Sequence, residues 1–322
     1  MLRCGAKEIG ALYDSHIKVR WTYRSHIITS LTDNTNLRTK MSRSSESGYS
    51  SDECEIRSPS NHVIQKDQIR FDRSYEVSDL LTKSANGVIY NGFCLRTGNP
   101  VIIKQIPRDV ISSYVQLDNR LCPAEIAFHF EAAQVSEHVA RPIDWFERRS
   151  SFVLVMKKFE NSMDLFEFSR QFGAIPEEPA KVIFKQLAQC AHDLDRAGIC
   201  HRDLKDENVL INPATLEVKL IDFGCATEKR DLYAKMAGTP EYFPPEWYTH
   251  RQYSADGLTV FSLGAILYIL LTGTWEFSNG SHKRDFLAER SLSQSSRSLL
   301  DSLLCPFPTK RLSISKLLEL TM

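Results

Sequence analysis

Apolar and polar positions change texture twice along this chain. Residues 1–40 hold no sustained period, and from Met41 to His62 the run "MSRSSESGYSSDECEIRSPSNH" is dominated by serine and nearly free of large aliphatics. Such a stretch buries too little apolar surface to offset its ordering entropy, which predicts an at least partly disordered N-terminal extension over residues 1–70. From about Phe71 short β-branched or aromatic runs appear, "VSDLL", "GVIYNGFCL" and "PVIIKQI", separated by Asn86-Gly87 and Thr97-Gly98-Asn99-Pro100. They predict a three-stranded antiparallel meander. A helix is expected over about Pro123–Val135, then two strands in "VARPIDWF" and "SFVLVM" joined by the charged turn "ERRS".

Beyond Met156 the period becomes helical. "EEPAKVIFKQLAQCAHDLDRAG" spaces its apolar residues for one helix face and ends at Gly198, a helix stop. Two strand pieces, "VLIN" and "EVKLIDF", interrupt before more helices. Strands first and helices afterwards predict an α+β domain over residues 71–322. A β-rich N-lobe (about 71–156) would face a helical C-lobe (about 160–322) across a cleft. "LTVFSLGAILYILLTG", from Leu258 to Gly273, falls short of the ~20 residues that span a bilayer and predicts a buried core helix.

Composition narrows the partners. Lys and Arg number 40, as do Asp and Glu, so no global footprint for nucleic acid or a membrane surface is present. Residues 1–70 hold 11 Lys and Arg against 8 Asp and Glu, leaving the body mildly acidic. Eight cysteines are scattered without a CxxC pair, which suits reduced thiols and a cytoplasmic or nuclear protein. The first thirty residues place Lys18, Arg20 and Arg24 among their apolar positions, unlike a signal peptide. Without a heptad or an exposed apolar stripe, a monomer is expected.

The chemistry lies in an ordered set. Phosphoryl transfer from a nucleotide needs a phosphate cradle, a cation on the phosphates, metal ligands and a group that accepts the hydroxyl proton. "VIIK" ends a strand in Lys104, and Glu125 in the next helix could pair with it. "HRDLKDEN" offers Asp203 as the base and Asn208 as a metal ligand. "DFG", fourteen residues after Asn208, offers Asp222 as the main magnesium ligand. "PPE" follows at Pro244–Glu246, with Arg311 as its candidate buried partner. One such tripeptide is weak; the whole series in this order is a strong signal.

In these motifs the chain resembles the eukaryotic protein kinases from about Phe71 to its end. "WFERRSSFVLVM", "DLFEF", "GAIPEE", "HRDLKDEN", "KLIDFG", "YFPPEW" and "VISSYVQLDNRLCPAE" are similar to the Pim family of serine/threonine kinases. So is Thr259, standing where kinases usually carry Asp in DxWSLG. The resemblance implies the bilobal kinase fold and Ser/Thr phosphorylation with ATP and Mg2+. Asp203 and Lys205 would be catalytic, and Thr239, in "GTPEYFPPEW", would stand where the peptide docks. Met156 would be the gatekeeper, and Lys157 and Phe159 hinge residues against adenine. The family has proline at 159, so Phe159 restores a backbone N–H donor. Leu81, Val88, Ile102 and Leu210 fit either adenine-slot walls or core positions.

The acids Glu160, Asp164, Glu167, Asp206 and Glu207 flank the catalytic groups. Asp164 and Glu207 match family positions that bind substrate arginines or the nucleotide ribose, implying protein substrates with basic residues N-terminal to the acceptor. Family acids further along are replaced by Ile269 and Thr274. The segment from Asp222 to Glu246 lacks a central serine or threonine and leaves only Tyr233 for modification, which implies constitutive activity. Cys225 is read as packing rather than redox-sensing.

One feature departs from the family. Where kinases read GxGxxG, this chain has Thr82, Ser84 and Gly87. Each added Cβ limits the approach of backbone N–H groups to phosphate, a loss of about 1–2 kcal/mol if two contacts weaken. An active enzyme with raised KM is expected. A non-catalytic kinase-shaped module is the alternative that this loop favours.

Overall fold

The structure, a computed structural model, describes residues 61–84, 86–274, 277–278, 281–282 and 292–321. Most of the serine-rich extension therefore lies outside the described residues. Among the described residues the first element is helix α1 (Asn61–Ser74), followed by strands β1 (Tyr75–Ser84), β2 (Gly87–Cys94) and β3 (Pro100–Pro107). A hairpin of β4 (Tyr114–Leu117) and β5 (Arg120–Pro123) leads without a break into helix α2 (Ala124–Val135). Strands β6 (Pro142–Glu147) and β7 (Ser151–Lys157) complete an antiparallel sheet in the order β1-β2-β3-β7-β6. The meander is thus present, with the two later strands added to its β3 edge.

Strand alternation gives this sheet two apolar faces. Val101, Ile103, Val153 and Val155 point to the outer face, where α1 lays Phe71 against Phe146 and Tyr75. Ile102, Ile106, Leu154 and Met156 point the other way, toward Ile126 of α2. The boundary expected at residues 70/71 is corrected by α1: it would cut this helix beside its buried Phe71, which belongs to the N-lobe core.

The C-lobe begins with β8 (Met163–Asp164), α3 (Leu165–Phe172) and α4 (Glu177–Arg196), and Gly198 ends α4 at φ +73° as expected. Then come β9 (Ile199–Cys200), β10 (Val209–Asn212), β11 (Glu217–Leu220) and β12 (Thr227–Glu228). Strand β10 lies between β8 and β11, and β9 pairs with β12. Helix α5 (Pro245–His250) precedes α6 (Ala255–Thr272), in which every residue but Asp256 is buried. Being apolar all round, α6 is long and apolar enough to cross a membrane, yet here it is the core helix of the lobe. A small hairpin (β13, Phe277–Ser278; β14, Ser281–His282) and helices α7 (Gln294–Leu303) and α8 (Ile314–Thr321) follow. A Cβ on Gly264 would lie 2.8 Å from that of Leu303, so only glycine admits α7 this close to α6.

Candidate active site

The cleft between the lobes collects the predicted groups from both sides. On the roof, β3 carries Lys104 with its ammonium 2.5 Å from Glu125 Oε1 and 3.0 Å from Asp222 Oδ1. Glu125 stands in the first turn of α2, where the helix dipole favours an acid. Lys104 is only 4 % exposed. Burial disfavours its charge, but the two carboxylates outweigh that, and its pKa lies above the ordinary lysine value.

Register decides what shares this face. Lys104 pairs with Ile89 and with Leu154, and Ile102 pairs with Met156. Directly paired residues point the same way, so Ile89, Ile102 and Met156 lie on the cleft side with Lys104. Val88 pairs with Gln105 on the other face. The reading of Val88 as an adenine wall is therefore corrected: Ile89 takes that place, because strand parity counted from Lys104 shifts by one. Leu81 sits in the bulge between the Leu80–Tyr90 and Thr82–Ile89 pairs, and Leu210 pairs with Asp164 on the floor.

The phosphate loop is a hairpin paired to its end, with Ser84 opposite Gly87 and Thr82 opposite Ile89. Gly87 has a separate reason to remain glycine. Its φ is +143°, and a Cβ there would lie 2.4 Å from the Gln105 carbonyl oxygen. Its survival thus answers to packing on β3 rather than to phosphate.

On the floor, the loop between β9 and β10 turns sharply, with Arg202 at φ +62°, and Asp222 lies at φ +60° beyond β11. Asp203 accepts the Thr239 backbone N–H on Oδ1 at 2.8 Å and the Asn208 amide on Oδ2 at 3.0 Å. Asn208 also donates to the Asp203 carbonyl at 2.8 Å, which leaves its amide oxygen as the end free for a cation. Lys205 donates to Thr239 Oγ1 at 2.9 Å, pairs with Glu207 Oε2 at 2.8 Å and lies 3.8 Å from Asp203 Oδ2. Asp222 Oδ1 also accepts the Gly224 N–H at 3.1 Å. Burial works against the Asp222 charge, but Lys104 and that amide outweigh it, and its pKa falls below the ordinary value. Asp222 and Asn208 are thus an oxygen-donor set suited to magnesium, set beside a charged ammonium. Lys104, Glu125 and Asp222 form one bonded cluster and Asp203, Asn208, Lys205, Glu207 and Thr239 a second, tied through the backbone by the Ile221 N–H on the Asn208 carbonyl at 2.9 Å.

The hinge runs from Met156 through Lys157 to Phe159. The Lys157 N–H is taken by the Arg141 carbonyl at 2.9 Å, while the Phe159 carbonyl accepts Ser162 Oγ at 2.6 Å. Asp164 caps α3 by accepting the Glu167 N–H at 2.7 Å, and burial raises its pKa. Among the other flanking acids, Glu160 and Glu167 are exposed. Asp206 is instead buried and accepts the Tyr242 hydroxyl at 2.7 Å, so it anchors the catalytic loop. Ile269 lies inside the core and Thr274 near its surface.

Sequence reasoning missed two features. Phe223, fully buried, packs between His129 of α2 and His201, each ring centroid 4.8 Å away. His129 bonds the Ala140 carbonyl through Nε2 at 2.7 Å, and burial holds its pKa down at about 4. Counting one helical turn from Glu125 would have put His129 on the same face. Tyr233 was the residue left for modification, but it is 6 % exposed. It stacks on Tyr253 at 5.3 Å, donates its hydroxyl to the Glu228 carbonyl, and lies under the Arg202 guanidinium at 5.3 Å. Arg202 Nε donates to the Cys225 carbonyl at 2.8 Å, and burial raises the Cys225 thiol pKa. That thiol is protonated and partly packed, as a structural cysteine is.

The model of the protein kinase domain matches residues 75–321. The chain belongs to the protein kinase family. Serine/threonine-protein kinase pim-2 of Danio rerio is 34 % identical over 261 residues, 77 % of this chain and 84 % of that protein. Serine/threonine-protein kinase prk-2 of Caenorhabditis elegans is 34 % identical over 211 residues, 65 % of this chain and 48 % of that one. A PAS domain-containing serine/threonine-protein kinase of Mus musculus is 30 % identical over 254 residues, 77 % and 18 % of the two chains. This is a Pim-like serine/threonine protein kinase with the bilobal α+β fold, an enzyme that acts on proteins. Helix α1 precedes the residues that the kinase-domain model matches.

Proposed function

We propose that this kinase binds Mg·ATP in the cleft and phosphorylates serine or threonine preceded by basic residues, without activation by an upstream kinase. The observation that carries the proposal is the joining of Lys104 to both Glu125 and Asp222, at 2.5 and 3.0 Å. Bound ATP supplies the phosphoryl group, and Mg2+ neutralises charge on its phosphates. Lys104 holds a fixed positive charge at the cleft wall. Asp222 and the Asn208 oxygen are the metal-holding groups. Asp203, oriented by Asn208 and Thr239, accepts the proton from the substrate hydroxyl. Lys205 reaches Thr239 at 2.9 Å, in the segment where the peptide would lie, and offers positive charge beside the base. Leu81, Ile89, Ile102, Met156 and Leu210 enclose the adenine, with backbone contacts from Lys157 and Phe159.

Constitutive activity is supported by the Arg202–Tyr233–Tyr253 packing, which occupies the arginine that a phosphate would otherwise engage. Basic-substrate preference is supported by Asp164 and by Glu207, which is half-exposed beside Lys205. The proposal extends to a monomer acting in the cytoplasm or nucleus. Labelled ATP, magnesium and a basic serine peptide test it, beside Asp203→Asn and Lys104→Met controls. Transfer by the parent alone supports it. Equal background in all three favours the non-catalytic module that Thr82 and Ser84 suggest. A peptide library without selection for Arg or Lys removes the substrate preference, and strong activation by an upstream Ser/Thr kinase removes the constitutive reading.

A further inference from the structure

Helix α1 presents a buried acid that the proposed chemistry does not use. Asp67 is 5 % exposed, and its Oδ2 accepts Arg120 Nη2 at 2.5 Å and the Glu147 N–H at 2.8 Å. Its Oδ1 lies 3.5 Å from Arg120 Nη1 and 3.6 Å from Arg70 Nη2. Arg120 opens β5, its guanidinium 4.1 Å above the Trp145 ring. A carboxylate with this many partners fixes the arginine in position and angle.

Arg120 matters for what comes next in the chain. Strand β5 passes directly into α2, whose N-terminus has Pro123 at the cap and no side-chain cap bond. Cys122, fully buried, packs in one cluster with Ile126 and Trp145, and the Ala124 N–H donates to the Ser113 carbonyl at 3.0 Å. The hairpin therefore sets where α2 starts, one residue ahead of Glu125. In the middle of α2, His129 ties the helix to the Ala140 carbonyl at 2.7 Å. A second anchor of α1, Arg70, reaches Asp144 at 3.0 Å and the Trp145 carbonyl at 2.7 Å, and touches β6 rather than the hairpin.

We infer that Asp67 is a positioning residue: through Arg120 it holds the start of α2 where Glu125 meets Lys104, so that α1, outside the matched kinase domain, keeps the catalytic lysine engaged. The inference rests on the proposed role of the Lys104–Glu125 pair. Displacing a catalytic group by an ångström costs up to about a hundredfold in rate, so kcat is expected to fall about ten- to a hundredfold in Asp67→Asn, with the peptide KM nearly unchanged.

The test uses the full chain as parent, Asp67→Asn, Arg120→Leu, the double variant and Arg70→Ala. Readouts are kcat, peptide KM, melting temperature and amide exchange over residues 114–135 and 255–272. The expected result is a slowed Asp67→Asn with faster exchange confined to 114–135, a double variant no slower than the worse single, and an Arg70→Ala that melts earlier at parental kcat. Parental kcat in Asp67→Asn, or an equal slowing in Arg70→Ala, overturns the inference. If the parent itself transfers no phosphate, the proposed function fails, and exchange still decides the brace. Unchanged protection over 114–135 in Asp67→Asn would overturn it.

Discussion

Two buried cation–glutamate pairs of this molecule, Arg311–Glu246 and Lys104–Glu125, are built differently. Arg311 grips Glu246 with both ends of its fork, at 2.7 and 2.9 Å, and spends its other donors on the Gly257 and Cys305 carbonyls. Its side chain is 1 % exposed and that of Glu246 7 %. Lys104 touches Glu125 at one point and divides its charge with Asp222, whose side chain is 32 % exposed to the cleft. The first pair is closed, with every donor matched and no opening to a ligand. The second is open on one side, and a compact ammonium can turn from one carboxylate toward an incoming phosphate. Burial and sign are alike in both; donor count and access separate a rivet from a working part.

The sharpest break of that contrast is Lys104→Met. Phosphoryl transfer should fall about a thousandfold or more, because a fixed charge at the reacting phosphates is lost. The urea midpoint should fall less than in Arg311→Ala, since Asp222 can reach water and the buried Glu125, its pKa already raised by burial, can take up a proton. Unfolding as severe as that of Arg311→Ala would make the Lys104 pair structural and end the distinction. Arg311→Ala comes next: removing one partner of a closed pair should lower unfolding free energy by about 3–5 kcal/mol. Urea melts give that number, and activity per folded molecule should persist at low temperature.

Acidity probes the working half, because His129 helps pin α2. Its folded pKa of about 4 lies below the ordinary 6.5, so between these values the unfolded chain takes up a proton that the folded protein refuses. This contribution is complete above pH 6.5 and is lost as pH falls toward 4, up to about 3 kcal/mol. The buried His201, also shifted down, adds to the same slope. His129→Leu should flatten the dependence of the urea midpoint on pH across that window; an unchanged slope would clear His129 of the effect. The smallest effect belongs to the loop over Lys104. Thr82→Gly with Ser84→Gly should lower KM for ATP by about five- to thirtyfold, matching about 1–2 kcal/mol of recovered backbone contact, at nearly constant kcat. Steady-state titration of ATP measures it.

How much of this was legible in the sequence depended on how far apart the partners lie. The floor of the cleft was readable because Asp203, Lys205 and Asn208 share one short loop whose order carries the chemistry. Glu246 and Arg311, 65 residues apart, were matched through the family's order of motifs. Val88 was misplaced because facing depends on pairing with β3, and a one-residue slip turns every side chain over. Helix α1 went unseen because "NHVIQKDQIRFDRS" looks solvated: it buries only Asp67 and Phe71, and Arg120 is 53 residues away. The β4–β5 hairpin did leave a sign, Asp118-Asn119 at φ 50° and 60°, residues that tolerate the left-handed turn. Tyr233 looked modifiable because nothing nearby in sequence announces Tyr253 as its lid.

The aromatic seam between α1 and the sheet bears on how this enzyme should be produced in pieces. A recombinant fragment begun at Tyr75, where the family match starts, would strip Phe71 from Phe146 and thin the cover over Val101, Ile103 and Val155. An apolar roof thinned in this way sticks to its copies. A fragment begun at Asn61 keeps Phe71 over that face.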